Sequence, residues 1–245
     1  KNKTVRYNMN SNLINAGIYK FKKSFLNIIK RKNISLETDL LPKYIKKRIV
    51  KGIFFKNFFL DIGTPKNYFS AQRNLIKYMT KPAIFLDRDG TINRDKGYTY
   101  KTKDLKFLKG VIKGLQLITK KNFYIFIVTN QAGIAKGYFT IKQFENFQKF
   151  MKRKLINQKI FINDIEYSPY HPYGKLKRFK KRSNLRKPGN LMIKKLMTRW
   201  PIDFDKSLMI GDKKTDELCA KKSGLNFFYT KNNFFSLIRK KINSY

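Results

Sequence analysis

The chain has 245 residues, 42% of them hydrophobic, and a formal net charge of +41. That length holds one large α/β domain or a medium one with a smaller companion, and the apolar content suffices for a core. No stretch approaches the apolar length of a membrane span and no signal peptide is visible. The one cysteine, Cys219, excludes disulfides and cysteine-rich metal sites, so a reducing, cytoplasmic setting without a membrane partner is expected.

A charge of this size, taken alone, points to nucleic acid or an anionic membrane surface. The composition argues for a different origin. Lysine far outnumbers arginine, Asn, Ile, Phe and Tyr are abundant, and Ala is scarce, as A/T-rich codons would produce across a whole proteome; the basic residues are scattered rather than gathered. Polyanion binding that fades steeply with salt is therefore expected, but no specific nucleic-acid partner.

The first third, residues 1–80, reads as a small α/β fragment: short elements broken by polar turns, an apolar run from Gly52 to Leu60, and a helix over Asn67 to Lys77 opened by Thr64-Pro65. Three segments in order, Asn15-Ala-Gly-Ile-Tyr19, Ser35-Leu-Glu37 to Leu41-Pro42, and Phe59-Leu-Asp-Ile-Gly-Thr-Pro65 with Tyr68, resemble the C-terminal part of sugar-phosphate nucleotidyltransferases. The resemblance implies a sugar contact at Asn15 and a Mg²⁺ contact at Asp61. The glycine-rich phosphate loop of that family does not precede Asn15 in this sequence, so the stretch is expected to be a remnant without transferase activity.

Residues 81–245 alternate strands and helices. Ala83 to Leu86 is an apolar run suited to a parallel strand buried on both faces, and Leu108 to Lys120 is helical. Phe123 to Val128 is a second strand and Ile160 to Tyr167 a third. Ser207 to Ile210 and Leu225 to Tyr229 complete the set. Thr140 reads as an N-cap with Gln143 three residues on, and Phe144, Phe147, Met151 and Leu155 form the apolar face of the helix that follows. The alternation predicts a doubly wound parallel sheet.

Ligands bind beyond the carboxyl ends of strands in such sheets. Asp87 and Asp89 follow the first strand directly, and side chains two apart in extended chain lean the same way. Carboxylates so close call for a hard cation such as Mg²⁺, an acid/base pair with separated pKa values, or both. Thr129, with the backbone N–H groups of Asn130, Gln131 and Ala132, suits phosphate oxygens. Lys187, and Asp212 with Asp216, complete a series of polar clusters at strand ends or after them.

This series resembles the four motifs of the haloacid-dehalogenase-like phosphatases. The wording of Phe85-Leu-Asp-Arg-Asp-Gly-Thr-Ile-Asn93, Gly97-Tyr98, Thr129 to Phe139, Arg186-Lys-Pro188 and Ile210-Gly-Asp-Lys213 is similar to the heptose 1,7-bisphosphate 7-phosphatase branch. The resemblance implies Asp87 as nucleophile, Asp89 as general acid and base, and Lys187 and Thr129 as stabilisers of the transferring phosphoryl group. It implies Mg²⁺ on Asp87, Asp212 and the Asp89 carbonyl, with Asp216 orienting Lys213 or the metal shell. Substrate contacts are implied for Asp95, Lys96, Gly97, Tyr98, Asn130, Gln131, Ala132, Arg186 and Lys213. The implied partner is a small sugar phosphate handled by a monomer; histidinol-phosphate phosphatase is the nearest enzymatic alternative and a basic nucleic-acid-binding protein the non-enzymatic one.

One departure stands out. Members of the branch often carry a zinc loop with a Cys-Pro-x-His-Pro element and a Cys-x-Cys, and those positions here read Ser168-Pro-Tyr-His171-Pro172 and Ser183-Asn-Leu185. A lone histidine cannot assemble a tetrahedral site, so no zinc is expected.

Overall fold

A computed structural model of the protein describes residues 3–4, 14–29, 33–55, 59–230 and 233–242. The chain divides into two compact units, Lys1–Asn74 and Leu75–Tyr245.

In the first unit, β1 (Lys3–Thr4) pairs antiparallel with β2 (Lys51–Gly52), and α1 spans Leu41–Lys46. The apolar run that begins at Gly52 does not continue as a strand: Ile53, Phe54, Phe55 and Phe59 lie exposed, and residues 56–58 fall outside the described set. α2 (Pro65–Met79) begins where the Thr64-Pro65 step predicts, with Thr64 Oγ1 accepting the Asn67 N–H at 3.2 Å. Asn15 donates to Tyr19 Oη at 2.5 Å and faces Glu37 at 3.4 Å, with Asn15 and Glu37 exposed and Tyr19 half-buried, while Asp61 closes a turn on the Gly63 N–H at 2.8 Å.

The second unit is built on five parallel strands in the order β5-β4-β3-β6-β7. These are β3 (Lys81–Leu86), β4 (Tyr124–Asn130), β5 (Asp164–Ser168), β6 (Ile202–Gly211) and β7 (Asn226–Tyr229). Successive side chains of β3 serve opposite faces, as the period of two requires. Ile84 and Leu86 pack into a core shared with α3 (Val111–Lys120), α5 (Ile141–Ile156) and α8 (Phe234–Ile242). Ala83 and Phe85 face the other way, into a core shared with α6 (Leu191–Arg199) and α7 (Lys214–Lys222). Helices thus cover both faces, the doubly wound arrangement expected, and each fully buried Leu, Ile or Phe contributes about 1.5–3 kcal/mol.

Several boundaries differ from the sequence expectation: β6 begins at Ile202, five residues before Ser207, and two others have a visible cause. Ile160 is buried but not in a strand: its N–H caps α5 on Leu155 O, and the third strand starts four residues later. Asn163 bridges the gap, its N–H and side-chain oxygen exchanging bonds with both backbone groups of Ile125. The first helix begins at Val111 rather than Leu108, because the Leu108 N–H is still held by Ile92 O in the loop after β3.

Candidate active site

β3 and β6 are neighbours, with Leu86 beside Ile210 and the Asp87 N–H on Ile210 O at 2.9 Å. Both strands therefore end at one point and release Asp87 and Asp212 into the same small volume. Asp216 joins them from the first turn of α7, where its carboxylate accepts the Lys213 N–H at 3.0 Å. Ligand atoms of Asp87, Asp212 and Asp216 lie within 4.8 Å of one another.

Lys187 reaches this cluster from the loop before α6. Its ammonium is 2% exposed and sits 2.6 Å from Asp87 Oδ1, 2.6 Å from Asp216 Oδ1 and 2.8 Å from Val128 O. Most lysines of this chain are solvated; this one is fully committed. Asn130 fixes its backbone, donating to Lys187 O at 3.0 Å and accepting the Lys187 N–H at 2.9 Å.

The charges do not balance. One ammonium faces three carboxylates, so burial, with Asp216 adding to it, pushes the Asp87 carboxyl up despite Lys187. Burial and Asp87 together push Asp212 up to about 7. Lys187 is desolvated as well, yet Asp87 and Asp216 outweigh the burial and hold it charged, above its ordinary value. Asp212 Oδ1 is buried without a hydrogen-bond partner. Gly90, at φ +87°, leaves room for this carboxylate: a Cβ there would stand 2.2 Å from Asp212 Oδ2. An excess of carboxylates over ammonium groups, an orphaned carboxylate oxygen and all-oxygen donors fit a hard divalent cation such as Mg²⁺.

Asp89 is held apart from this cluster. Its carboxylate accepts from Arg88 Nε (3.1 Å) and Nη2 (2.6 Å), Asn93 Nδ2 (2.9 Å) and Gln131 Nε2 (3.1 Å). The carboxylates that converge are thus Asp87, Asp212 and Asp216; the side chains of Asp87 and Asp89 do not lean together as their spacing suggests, and the sequence reading brings Asp89 to the cation only through its backbone carbonyl. Arg88 was not singled out from the sequence, although it is fully buried, lies 4.8 Å over the Phe147 ring and 5.5 Å over that of Phe144, and donates to Thr99 O at 2.7 Å. Its signal was available: an arginine inside an otherwise apolar strand end needs a buried carboxylate, and Asp89 is adjacent.

The remaining candidates fall into two groups. Thr129 and Asn130 end β4 and Gln131 follows it, with side chains engaged inside the site: the Thr129 hydroxyl accepts from Gln131 Nε2 at 2.9 Å, leaving its proton free to donate. Asn130 and Gln131, expected at the substrate, have their amides occupied by Lys187, Asp89, Thr129 and Arg88. Ala132 is half-buried at the start of the short α4 (Ala132–Ala135). Asp95, Lys96, Gly97, Tyr98 and Lys213 are exposed and form a rim: Lys213 pairs with Asp95 at 3.2 Å, Lys96 with Asp104 at 3.0 Å, and Lys136 donates to Tyr98 Oη at 2.7 Å. Arg186, beside Lys187, is half-buried, and the burial lowers its pKa.

Strand-end carboxylates, a buried lysine and a doubly wound sheet define a haloacid-dehalogenase-like hydrolase. A family described as "HAD-hyrolase-like" matches residues 184–237. The chain is 41% identical over 139 residues to the D-glycero-beta-D-manno-heptose-1,7-bisphosphate 7-phosphatase of Escherichia coli K12, spanning 57% of this chain and 73% of that protein. It is 34% identical over 148 residues to the protein of the same name from Rhodopseudomonas palustris, 60% and 82% of the respective lengths. The fold is shared with D,D-heptose 1.7-bisphosphate phosphatase from B. bronchiseptica, solved with magnesium and phosphate, at TM-score 0.56 and 23% identity over 67% of this chain and 87% of that one. The chain belongs to the haloacid-dehalogenase-like phosphatases, a family of phosphoric monoester hydrolases, alongside the heptose bisphosphate 7-phosphatases.

Proposed function

We propose that residues 81–245 hydrolyse D-glycero-D-manno-heptose 1,7-bisphosphate to the heptose 1-phosphate. The observation that carries this reading is the convergence of Asp87, Lys187, Asp212 and Asp216 in a chain 41% identical to a named 7-phosphatase. Asp87 attacks phosphorus, and the bond from phosphorus to the sugar oxygen breaks with its electron pair leaving on that oxygen. Asp89 gives the oxygen a proton and then accepts one from the water that attacks the aspartyl-phosphate, which frees the Asp87 carboxylate and releases inorganic phosphate. For the proton transfers, Asp89 must turn from Arg88 toward the substrate. Lys187 offsets charge on the phosphoryl oxygens, and the free proton of the Thr129 hydroxyl is available to one of them.

Mg²⁺ on Asp87, Asp212 and the Asp89 carbonyl supplies, when bound, the positive charge that lets a carboxylate approach a phosphate dianion. Asp216 is the positioning group here, its two oxygens holding the Lys187 ammonium and the Lys213 backbone. The expected zinc ligands are missing at Ser168, Ser183 and Leu185, which supports a zinc-free loop. Residues 1–80 are read as resembling the C-terminal part of a sugar-1-phosphate nucleotidyltransferase, whose substrate class is the phosphatase's product, and the enzyme is read as a cytoplasmic monomer.

The test is phosphate release from the heptose bisphosphate with Mg²⁺, beside histidinol phosphate, with Asp87→Asn as blank. Mg²⁺-dependent turnover of the heptose substrate that the variant abolishes supports the reading. Preference for histidinol phosphate, or turnover that survives in Asp87→Asn, overturns it.

A further inference from the structure

The loop between β5 and α6, residues 169–190, contains one short helical turn, Lys177–Phe179, and delivers Arg186 and Lys187 to the site. Such a length of irregular chain needs anchors if its end is to be placed accurately. Three are visible, all on α4 and the aromatic cluster behind it. Leu176 N–H donates to Ala135 O at 3.0 Å, and Gly174 lies so close to the same residue that a Cβ would stand 2.9 Å from Ala135 Cβ and 3.0 Å from its carbonyl oxygen. The Phe179 ring packs against a buried cluster of Ile134, Phe139 and Phe144.

From Phe179 the contacts run to the site. Its carbonyl accepts the His171 N–H at 3.2 Å, its ring lies 6.2 Å from that of Tyr170, and Tyr170 O accepts from Arg186 Nη1 at 3.4 Å. Among the described residues no carboxylate pairs with Arg186, and Lys136 spends its ammonium on the Tyr98 hydroxyl at 2.7 Å. A half-buried guanidinium held only by a long bond to a carbonyl is available for an anion, and its direction is set by the loop rather than by an ion pair.

We propose that Phe179 is a positioning residue: by seating the loop in the α4 cluster it fixes the direction of Arg186, whose contact with the substrate the family resemblance already implies. The role deepens the phosphatase reading above and rests on it. The cluster that receives Phe179 includes Phe144, whose ring also lies 5.5 Å from the Arg88 guanidinium. Aromatic packing then does for this loop what a metal staple would do elsewhere.

Phe179→Ala, Phe179→Leu, Arg186→Ala and the Phe179→Ala/Arg186→Ala double variant test this in two independent ways. The first is trypsin, for which the loop offers Lys175, Lys177, Arg178, Lys180, Lys181 and Arg182, all exposed. Cleavage there is expected to be about tenfold faster in the Ala variant and near wild type in the Leu variant, since an opened segment is cut in proportion to its open population. Unchanged cleavage in the Ala variant overturns the anchor whatever the substrate.

The second is kinetic, with the heptose 1,7-bisphosphate and p-nitrophenyl phosphate as probes. Phe179→Ala should raise KM for the bisphosphate about tenfold, with kcat and the turnover of p-nitrophenyl phosphate held within about twofold, and Leu should restore KM. Adding Phe179→Ala to Arg186→Ala should cost nothing further, because the two residues act as one unit. Equal losses on both probes, or additive losses in the double variant, overturn the positioning role. A wild-type enzyme without preference for the bisphosphate overturns the substrate reading instead, and Phe179 as anchor then stands or falls on the trypsin result.

Discussion

Asp212→Asn separates the electrostatics of the metal-free site from its packing. Burial and the neighbouring Asp87 raise the Asp212 carboxyl from 3.8 to about 7. At about 1.36 kcal/mol per unit the full shift has a ceiling of roughly 4 kcal/mol. Asp212 is only half-buried, so solvent screening leaves about 1–2 kcal/mol. Between these two pKa values the folded chain keeps a proton that the unfolded chain has released, so its stabilising effect is complete below pH 3.8 and is lost as the pH rises through about 7. Asparagine cannot take part in this loss.

The assay is thermal unfolding in EDTA at pH 5 and pH 8 for wild type and variant, taking the difference so that the titration of the rest of this basic chain cancels. Because pH 5 already lies above 3.8, about 60% of that effect is lost between the two pH values, and the variant is expected to gain on wild type by about 1–5 °C. Saturating Mg²⁺ should then raise the wild-type Tm at pH 8, by an amount worth about 2.7 kcal/mol at a hundred times Kd, and leave the variant nearly unmoved. A gap between the two proteins that does not change with pH, or an equal Mg²⁺ shift in both, would refute the reasoning.

Arg88→Met removes a guanidinium that is fully buried and bidentate on Asp89, and should cost about 3 kcal/mol, a Tm loss of roughly 6–12 °C, with Arg88→Lys a poor substitute because it cannot form the fork. A melting curve within about 2 °C of wild type would show that the pair contributes little. Gly90→Ala forces a side chain into the left-handed region and against Asp212, so it should cost about 1–2 kcal/mol and, more tellingly, abolish the Mg²⁺-induced rise in Tm. Retention of the full Mg²⁺ shift in that variant would mean that the carboxylate does not need the room Gly90 provides.

Much of the second unit was legible in the sequence because its signals are local. Ala83 to Leu86 is apolar without interruption because a central parallel strand is covered on both faces, and Thr140 with Gln143 forms the reciprocal cap that their spacing implies. Asp87 and Asp212 were placed by the rule that chemistry sits beyond strand carboxyl ends. Boundaries such as 160 and 108 were not legible, because a single side chain, Asn163, or a single tertiary bond, Leu108 to Ile92, decided them.

What only the tertiary structure decided is which charges face each other. Asp89 is two residues from Asp87, yet Arg88 and Gln131 draw its carboxylate aside, while Asp216 and Lys187 join Asp87 from distant parts of the chain. Periodicity and strand-end position are properties of neighbouring residues and can be read along the chain. The balance of buried charge depends on distances across the sheet, where β3, β4 and β6 bring the loops together, and no spacing in the sequence encodes it.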